Sequence, residues 1–451
     1  MIRIRFDHRT PGRIASGLLG ALALTSLSGC KLAEVFALHG PQSTYQTGGP
    51  VAASQWSLFM VTVYVTLGIF VVVGTVLAYA TLKFRARSDA DEKVEVAQGH
   101  GHPAVEVLLV AGSALLLVII AVPTLRGIWY THDVPEEEKG AAMEVTATGY
   151  QWWFKFEYPT ERVALPGGGD APLATANELV VPAGVPVRVH LRTVDVIHSF
   201  WLPKLAGKVD MIPNRANFLW FKADKPGYYY GQCAEYCGDS HAIMRFRVIA
   251  LPASKYVVWL ENQKQNARTA TAGAIAAEGN EPTVKFASMK MPDVGPGSTL
   301  AADEAFDADP LAAWQAKQQP AAHEEPALIA KGHELFGDKT CMNCHTIRGH
   351  ATKGGSPYGG ITAPELTHVG ARTTIAAGVL ENTPERMSQW LHDPEYFKPG
   401  NKMAHGIGGM AGYYKLDGDG KVVLENGQPV RNIKLSDEEI TALVAYLQSL
   451  K

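Results

Sequence analysis

The sequence predicts a multidomain chain: a two-helix transmembrane hairpin, an all-β sandwich and a small all-α domain, in that order. Three observations predict it. Two long apolar runs lie within the first 130 residues, each long enough to cross a hydrocarbon core. Between about 143 and 252, aromatic and β-branched residues alternate with polar ones in short stretches separated by turns. Helical spacing of apolar residues returns near the C-terminus, at Ile440, Leu443, Val444 and Leu447. With 451 residues there is room for two or three cores. The formal charge is only −3, and no basic run is interleaved with aromatics, which argues against a nucleic-acid partner. Five cysteines, at 30, 233, 237, 341 and 344, argue against a disulfide framework, and each sits in its own chemical setting.

Residues 1–29 read as a lipoprotein-type export signal. Arg3, Arg5, Arg9 and Arg13 form a basic region, an apolar stretch follows over 14–27, and Leu27-Ser28-Gly29-Cys30 resembles the bacterial lipobox with Cys30 as the lipidated residue. Residues 30–130 are expected to hold an outer-face N-terminus and the hairpin, with spans at about 56–82 and 105–126. Lys83, Arg85, Arg87 and Lys93 between the spans place their connection in the cytoplasm, and therefore everything after Tyr130 on the periplasmic or outer face of the cell membrane. Glu106 opens the second span. It reads either as a solvated cap or as a proton-entry group, since ionisable residues near membrane depth mark proton paths.

Residues 131–255 carry the sandwich. Trp152, Phe154, Phe156 and Tyr158 alternate with Trp153, Lys155 and Glu157, so one strand face is aromatic. His190 falls on a polar strand face and reads as a solvated residue. The chemistry gathers in 233–244, where Cys233, Cys237, His241 and Met244 fall close together, with His198 upstream. Two Cys and two His also suit a structural zinc site, and two exported Cys suit a disulfide. Met244 alternates with Phe246 and Val248, so its thioether points inward, and thioethers favour copper over zinc.

His198-Ser-Phe-Trp201, Gly227-Tyr-Tyr-Tyr230-Gly-Gln232 and the 233–244 loop resemble subunit II of haem-copper cytochrome c oxidases, from about residue 56 to 252. The resemblance implies a cupredoxin-like domain holding a binuclear copper centre, CuA. Cys233 and Cys237 would bridge the two coppers, His198 and His241 would bind one each, and Met244 and the Glu235 carbonyl would complete the set. It further implies a Mg or Mn ion reached by the Glu235 side chain at the boundary with subunit I, and a tryptophan that receives the electron. Gly149-Tyr150-Gln151-Trp152 matches the family at Trp152, whereas strand alternation puts Trp153 on the polar face where a donor would dock. Glu106 matches a carboxylate at the mouth of a proton channel, although the Trp and Pro of the family pattern are replaced by apolar residues after it.

Residues 256–325 are rich in Ala, Pro, Gln, Asp and Glu, and read as a mostly flexible linker. A coil of ~60 residues spans about 40 Å, enough to keep the next domain at high effective concentration beside the copper loop. In 326–451, Cys341-Met-Asn-Cys344-His345 is a c-type haem attachment motif: two thiols for the haem vinyls and an adjacent imidazole for the iron. Ser436 and Glu439 form a capping box before the last helix, and the segment resembles a small cytochrome c. Met403, in Lys398-Pro-Gly-Asn-Lys-Met403, resembles the family's axial ligand. Ala404 stands where the family has Pro, which leaves Met410 as a rival. Asp417-Gly-Asp-Gly420 reads as a hairpin turn, not a calcium loop.

The resemblance as a whole is to the caa-type arrangement. It implies an electron-input subunit carrying haem c and CuA, which feeds the haem-copper centre of subunit I, where oxygen is reduced to water with proton pumping. Subunit III and a cytochrome c or other respiratory donor are the further partners implied. A quinol oxidase subunit II lacks the copper ligands present here. An input subunit of a nitric oxide reductase and a stand-alone copper–haem carrier are the alternatives.

Overall fold

The computed structural model describes residues 40–88, 91, 99, 101–268, 309–319 and 324–451. The expected export signal, Cys30 and Lys93 lie outside the described residues.

Two helices, α1 (Pro50–Lys83) and α2 (Pro103–His132), form the apolar hairpin. Each opens on a proline, which costs no hydrogen bond in a first turn. Their 34 and 30 residues give lengths of ~50 and ~45 Å, more than the ~30 Å of hydrocarbon in a bilayer. The surplus turns, beyond the expected spans, root the hairpin in the sandwich. Val51 and Ala52 of α1 are buried there, and the Trp220 indole N–H donates to the Tyr130 carbonyl of α2 at 3.1 Å. Gly49 is required at the junction, because a Cβ there would lie 2.0 Å from the Lys222 carbonyl.

The sandwich has ten strands: β1 (Met143–Tyr150), β2 (Trp153–Ala164), β3 (Asp170–Ala176), β4 (Glu178–Pro182), β5 (Pro186–Thr193), β6 (His198–Trp201), β7 (Lys208–Met211), β8 (Asn217–Lys222), β9 (Gly227–Cys233) and β10 (Arg245–Leu251). They form two five-stranded sheets, ordered β3-β2-β1-β5-β8 and β4-β10-β9-β6-β7. The aromatic face expected on β2 is buried: Phe154, Phe156 and Tyr158 are fully covered. Phe154 and Phe156 pack with Phe200 and Phe246 between the sheets, the last two stacked at 4.3 Å. Gly231 makes room for this cluster, since a Cβ there would fall 2.2 Å from the Phe246 ring. His190 stays on the polar, part-exposed face, as expected, and is paired there, its Nε2 lying 2.5 Å from the Glu144 carboxylate.

The linker expectation needs correction at both ends. Helix α3 (Ala253–Lys264) follows β10 directly, and α4 (Pro310–Lys317) lies against the sandwich. Trp259, Leu260 and Trp314 are buried in the sandwich core. A polar, alanine-rich composition argues against burial on average, but three large side chains at the right places suffice to dock two short helices. Residues 269–308 lie outside the described residues.

The C-terminal domain is built on α5 (Pro326–Asp338) crossing α7 (Asp437–Ser449), with α6 (Pro384–His392) packed beside α7. The crossing is close because Gly332 meets the Ala442 carbonyl, where a Cβ would sit at 2.0 Å. The capping box is present, with Ser436 and Glu439 exchanging bonds across the first turn of α7. Asp417 Oδ1 accepts the amides of Asp419 and Lys421 at 2.9 Å, and Leu416 bridges to Val422, so the acidic stretch is a hairpin turn.

This domain does not hang free. The buried Glu178 carboxylate, at the start of β4, accepts the Thr373 amide and hydroxyl, each at 2.8 Å, and the Trp314 indole N–H at 3.1 Å. One carboxylate thus ties the sandwich, the end of the linker and the C-terminal domain together.

Candidate metal centre and haem site

The metal loop is held shut by its own hairpin. β9 ends on Cys233, β10 begins at Arg245, and the Cys233 amide donates to the Met244 carbonyl at 2.9 Å. Between them, Cys237 and the single turn His241–Ile243 curl back, with Gly238 in the left-handed region at φ +114°. β6 supplies His198 from the neighbouring strand.

The donor atoms converge. The Cys233 and Cys237 sulfurs are 3.8 Å apart, far beyond a disulfide, and both thiols are free. His198 Nδ1 lies 3.8 Å from the Cys233 sulfur and His241 Nδ1 lies 3.6 Å from the Cys237 sulfur. The Met244 thioether is 3.9 Å from the Cys237 sulfur, and the Glu235 carbonyl oxygen is 3.2 Å from the Cys233 sulfur. Each sulfur therefore has its own imidazole. His198, Cys233, Cys237 and Met244 are all buried.

The electrostatics call for a cation. The Cys237 thiol donates to Cys233 and, against the cost of burial, this bond together with His198 holds Cys233 down to about 3. The same pairing, reinforced by burial, pushes the Cys237 thiol up. Two sulfurs this close share one proton until a metal replaces it. Two thiolates, two imidazoles and a buried thioether make a soft donor set that fits copper better than zinc.

Neighbouring groups fix this geometry. Asp195 Oδ1 accepts His198 Nε2–H at 2.8 Å, which leaves Nδ1 for the metal. Burial opposes ionisation of Asp195, but bonds from His198 and from the Gln151 and Val196 amides outweigh it and hold the carboxyl low. The Cys237 carbonyl accepts the Gln151 side-chain amide at 2.9 Å and the Trp152 indole N–H at 3.0 Å. Gly149 leaves room for the imidazole, since a Cβ there would lie 2.7 Å from the His198 ring. Asp195 was absent from the sequence reading, and Gln151 and Gly149 entered it only as part of the motif around Trp152, without these roles. Asp195 carried one weak signal, an acid three residues before a ligand histidine.

Trp152 is buried, in the turn between β1 and β2 and in phase with Phe154, Phe156 and Tyr158 as the alternation expects; Trp153 is half-buried and stacks on Tyr150 at 4.5 Å. The Glu235 side chain is half-buried at the rim of the loop. Glu106 is in the first turn of α2, exposed, ~35 Å along the helix from Tyr130 and remote from both redox sites.

In the C-terminal domain, Cys341 and Cys344 are free thiols on a tight turn after α5, and burial pushes Cys341 up to about 12. His345 Nδ1–H donates to the Pro364 carbonyl at 2.7 Å, leaving Nε2 to face an iron. Burial pushes this imidazole down, which keeps it neutral and ready to ligate. Met403 sits on the short helix Lys402–His405, N-capped by Asn401, and packs half-buried against the domain core. The Met410 sulfur lies 3.9 Å from the Cys344 sulfur, so Met410 borders the attachment turn. Two thiols, a neutral imidazole and a thioether suit a covalently attached haem.

Two family profiles match the chain. "Cytochrome C oxidase subunit II, periplasmic domain" covers residues 143–251, and "Cytochrome c" covers 329–451. The first implies copper and the second haem c. Cytochrome c oxidase subunit 2 of Bacillus sp. strain PS3 is 30% identical over 420 residues, 91% of each chain. That of Alkalihalophilus pseudofirmus is 29% identical over 405 residues, 89% of each chain. That of Bacillus subtilis is 29% identical over 448 residues, 96% of this chain and 97% of the relative. An electron-input subunit of an oxidoreductase, anchored in a membrane complex with subunit I, is what these matches and the two apolar helices describe. On its residues, its domain order and its relatives, the chain belongs to the cytochrome c oxidase subunit 2 family.

Proposed function

We propose that this chain passes electrons from a respiratory donor, cytochrome c or an equivalent, through its own haem c to a binuclear CuA centre and on to subunit I. His198, Cys233, Cys237, His241, Met244 and the Glu235 carbonyl would hold the coppers. Cys341 and Cys344 would attach the haem, with His345 and Met403 as axial ligands. When bound, these groups supply reversible one-electron transfer, and the oxygen reduction and proton pumping belong to subunit I. The chain's own work is to hold the donors. Asp195 fixes the His198 tautomer, Pro364 that of His345, and the buried sandwich keeps both thiolates dry.

The observation that carries this reading is the convergence of two free thiols 3.8 Å apart with one imidazole nitrogen beside each. Trp152, bonded to the Cys237 carbonyl, is the residue assigned to electron entry. The Glu235 side chain is assigned to a Mg or Mn ion shared with subunit I, and Glu106 to proton entry. The domain limits given above, with α3 and α4 moved from the linker to the sandwich, lipidation of Cys30, the periplasmic face of the inner membrane and a subunit III partner complete the proposal.

Electron paramagnetic resonance of the oxidised protein tests it: one unpaired spin delocalised over two coppers is expected, and a silent zinc-loaded site would sink it. Purification from detergent-solubilised membranes should bring a large polytopic partner with the haem–copper centre of an oxidase. Isolation alone would favour a stand-alone carrier, and a partner that reduces nitric oxide would favour the reductase alternative.

A further inference from the structure

The loop that leads to Met403 is seated on the metal loop. Lys398 is buried, with its side-chain nitrogen 3.1 Å from the Ile243 carbonyl. The Ser240 hydroxyl donates to the Pro399 carbonyl at 2.6 Å. Gly400 is in the left-handed region at φ +73°, and a Cβ there would lie 2.8 Å from the Asp239 carboxylate and 2.9 Å from the Trp152 ring. Phe397, Val379 and Leu380 close an apolar seal around Ile243.

The placement of these contacts is specific. Ser240 immediately precedes His241, and Ile243 immediately precedes Met244. The two polar bonds therefore grip the ligand-bearing turn on both sides. On the other domain, Lys398, Pro399 and Gly400 lie within five residues of Met403 in the chain. A carbonyl and a hydroxyl buried at a contact are costly to leave unpaired, so the bonds discriminate one seating from its neighbours.

We propose that Lys398 and Ser240 are positioning residues for the interdomain electron step: they latch the Met403 loop onto the turn bearing His241 and Met244, and so fix the gap between the two redox sites. The proposal rests on the function read above. One electron leaves the reduced haem and reduces the oxidised copper pair; no covalent bond forms or breaks, and neither Lys398 nor Ser240 exchanges a proton. The latch also seats the loop over Trp152, so a separate donor protein reaches the chain through the haem domain and not at that indole.

The test uses the full chain in the purified oxidase. Ser240→Ala removes the hydroxyl with little change in volume, and Lys398→Met keeps the apolar stem while removing the donor. Amide hydrogen exchange over 239–244 and 398–402 is read first, then haem reduction and copper reduction separately after a flash. The double variant is expected to exchange roughly tenfold faster in both segments. Haem-to-copper transfer should slow several-fold and become sensitive to viscosity, while donor-to-haem transfer and both optical spectra stay unchanged. Unchanged exchange or an unchanged haem-to-copper rate in the double variant overturns the latch. So does an altered copper spectrum with unaltered exchange, because the residues would then act on ligand geometry. If the native protein itself never passes an electron from haem to copper, the function proposed above fails, and that outcome is distinct from equal rates in native and variant.

Discussion

The two redox sites are built on opposite plans. In the sandwich, His198 and Cys233 stand on strand ends, His241 opens a one-turn helix, Cys237 is held by bonds from Gln151 and Trp152 to its carbonyl, and the outer nitrogen of His198 is already bonded to Asp195. In the C-terminal domain, one imidazole is fixed by Pro364, the two thiols are half-buried, and two methionines compete for one role on a loop held by left-handed glycines at 406, 408 and 409. The copper site is a mould that precedes its metal. The haem site surrounds a group much larger than any donor, so the group itself supplies part of the interior.

This contrast can be broken or sharpened by experiment. The largest effect is expected from Cys341→Ser with Cys344→Ser, which should abolish covalent haem on a denaturing gel while the sandwich still binds copper. Retained covalent haem would remove the attachment motif from the account. Next, Asp195→Asn should leave the donors in place but lower copper affinity by roughly 10–100-fold, measured by chelator competition. An unchanged affinity would mean that the strands alone orient His198.

Copper binding should also depend on pH with a definite sign. Cys233 is already deprotonated at about 3, whereas burial and its partner keep the proton on Cys237. Metal entry therefore releases the Cys237 proton and, near neutrality, part of one from His198, whose imidazolium is favoured, against the cost of burial, by Asp195 and Cys233. Apparent affinity should rise at least about tenfold per pH unit there. A flat profile would show that the thiols do not share a proton. The smallest effect separates the methionines: Met403→Leu should lower the haem potential and remove the sulfur-to-iron charge-transfer band, while Met410→Leu should leave both unchanged. The reverse result would move the ligand to Met410.

What the sequence could disclose follows from how far apart the interacting residues lie. Four proposed side-chain donors and the Glu235 carbonyl fall within 233–244 because one hairpin loop carries them, and the haem motif is contiguous for the same reason. The membrane spans and the aromatic face of β2 were legible because each obeys one period over many residues. Asp195, Gln151 and Lys398 were not, since each acts across a contact between distant segments that no local pattern encodes. The linker misled by composition, because Trp314, with Leu311 beside it, is enough to commit α4 to the sandwich. Trp152 kept the alternation, buried in phase with Phe154 and Phe156, but its bond to the Cys237 carbonyl was not legible.

The junction between hairpin and sandwich acts as a surveyor's staff. Gly48 donates its amide to the Lys204 carbonyl at 2.7 Å, Gly49 lies against Lys222, and Tyr130 is bonded to Trp220, so neither helix can hinge where it leaves the domain. The height of the copper loop above the lipid is therefore set by how deeply α1 and α2 sink into the bilayer. Electron hopping falls off steeply with separation, so a stem that cannot hinge keeps the copper loop at one fixed height above the spans and leaves no slack in the distance to a partner in the same membrane.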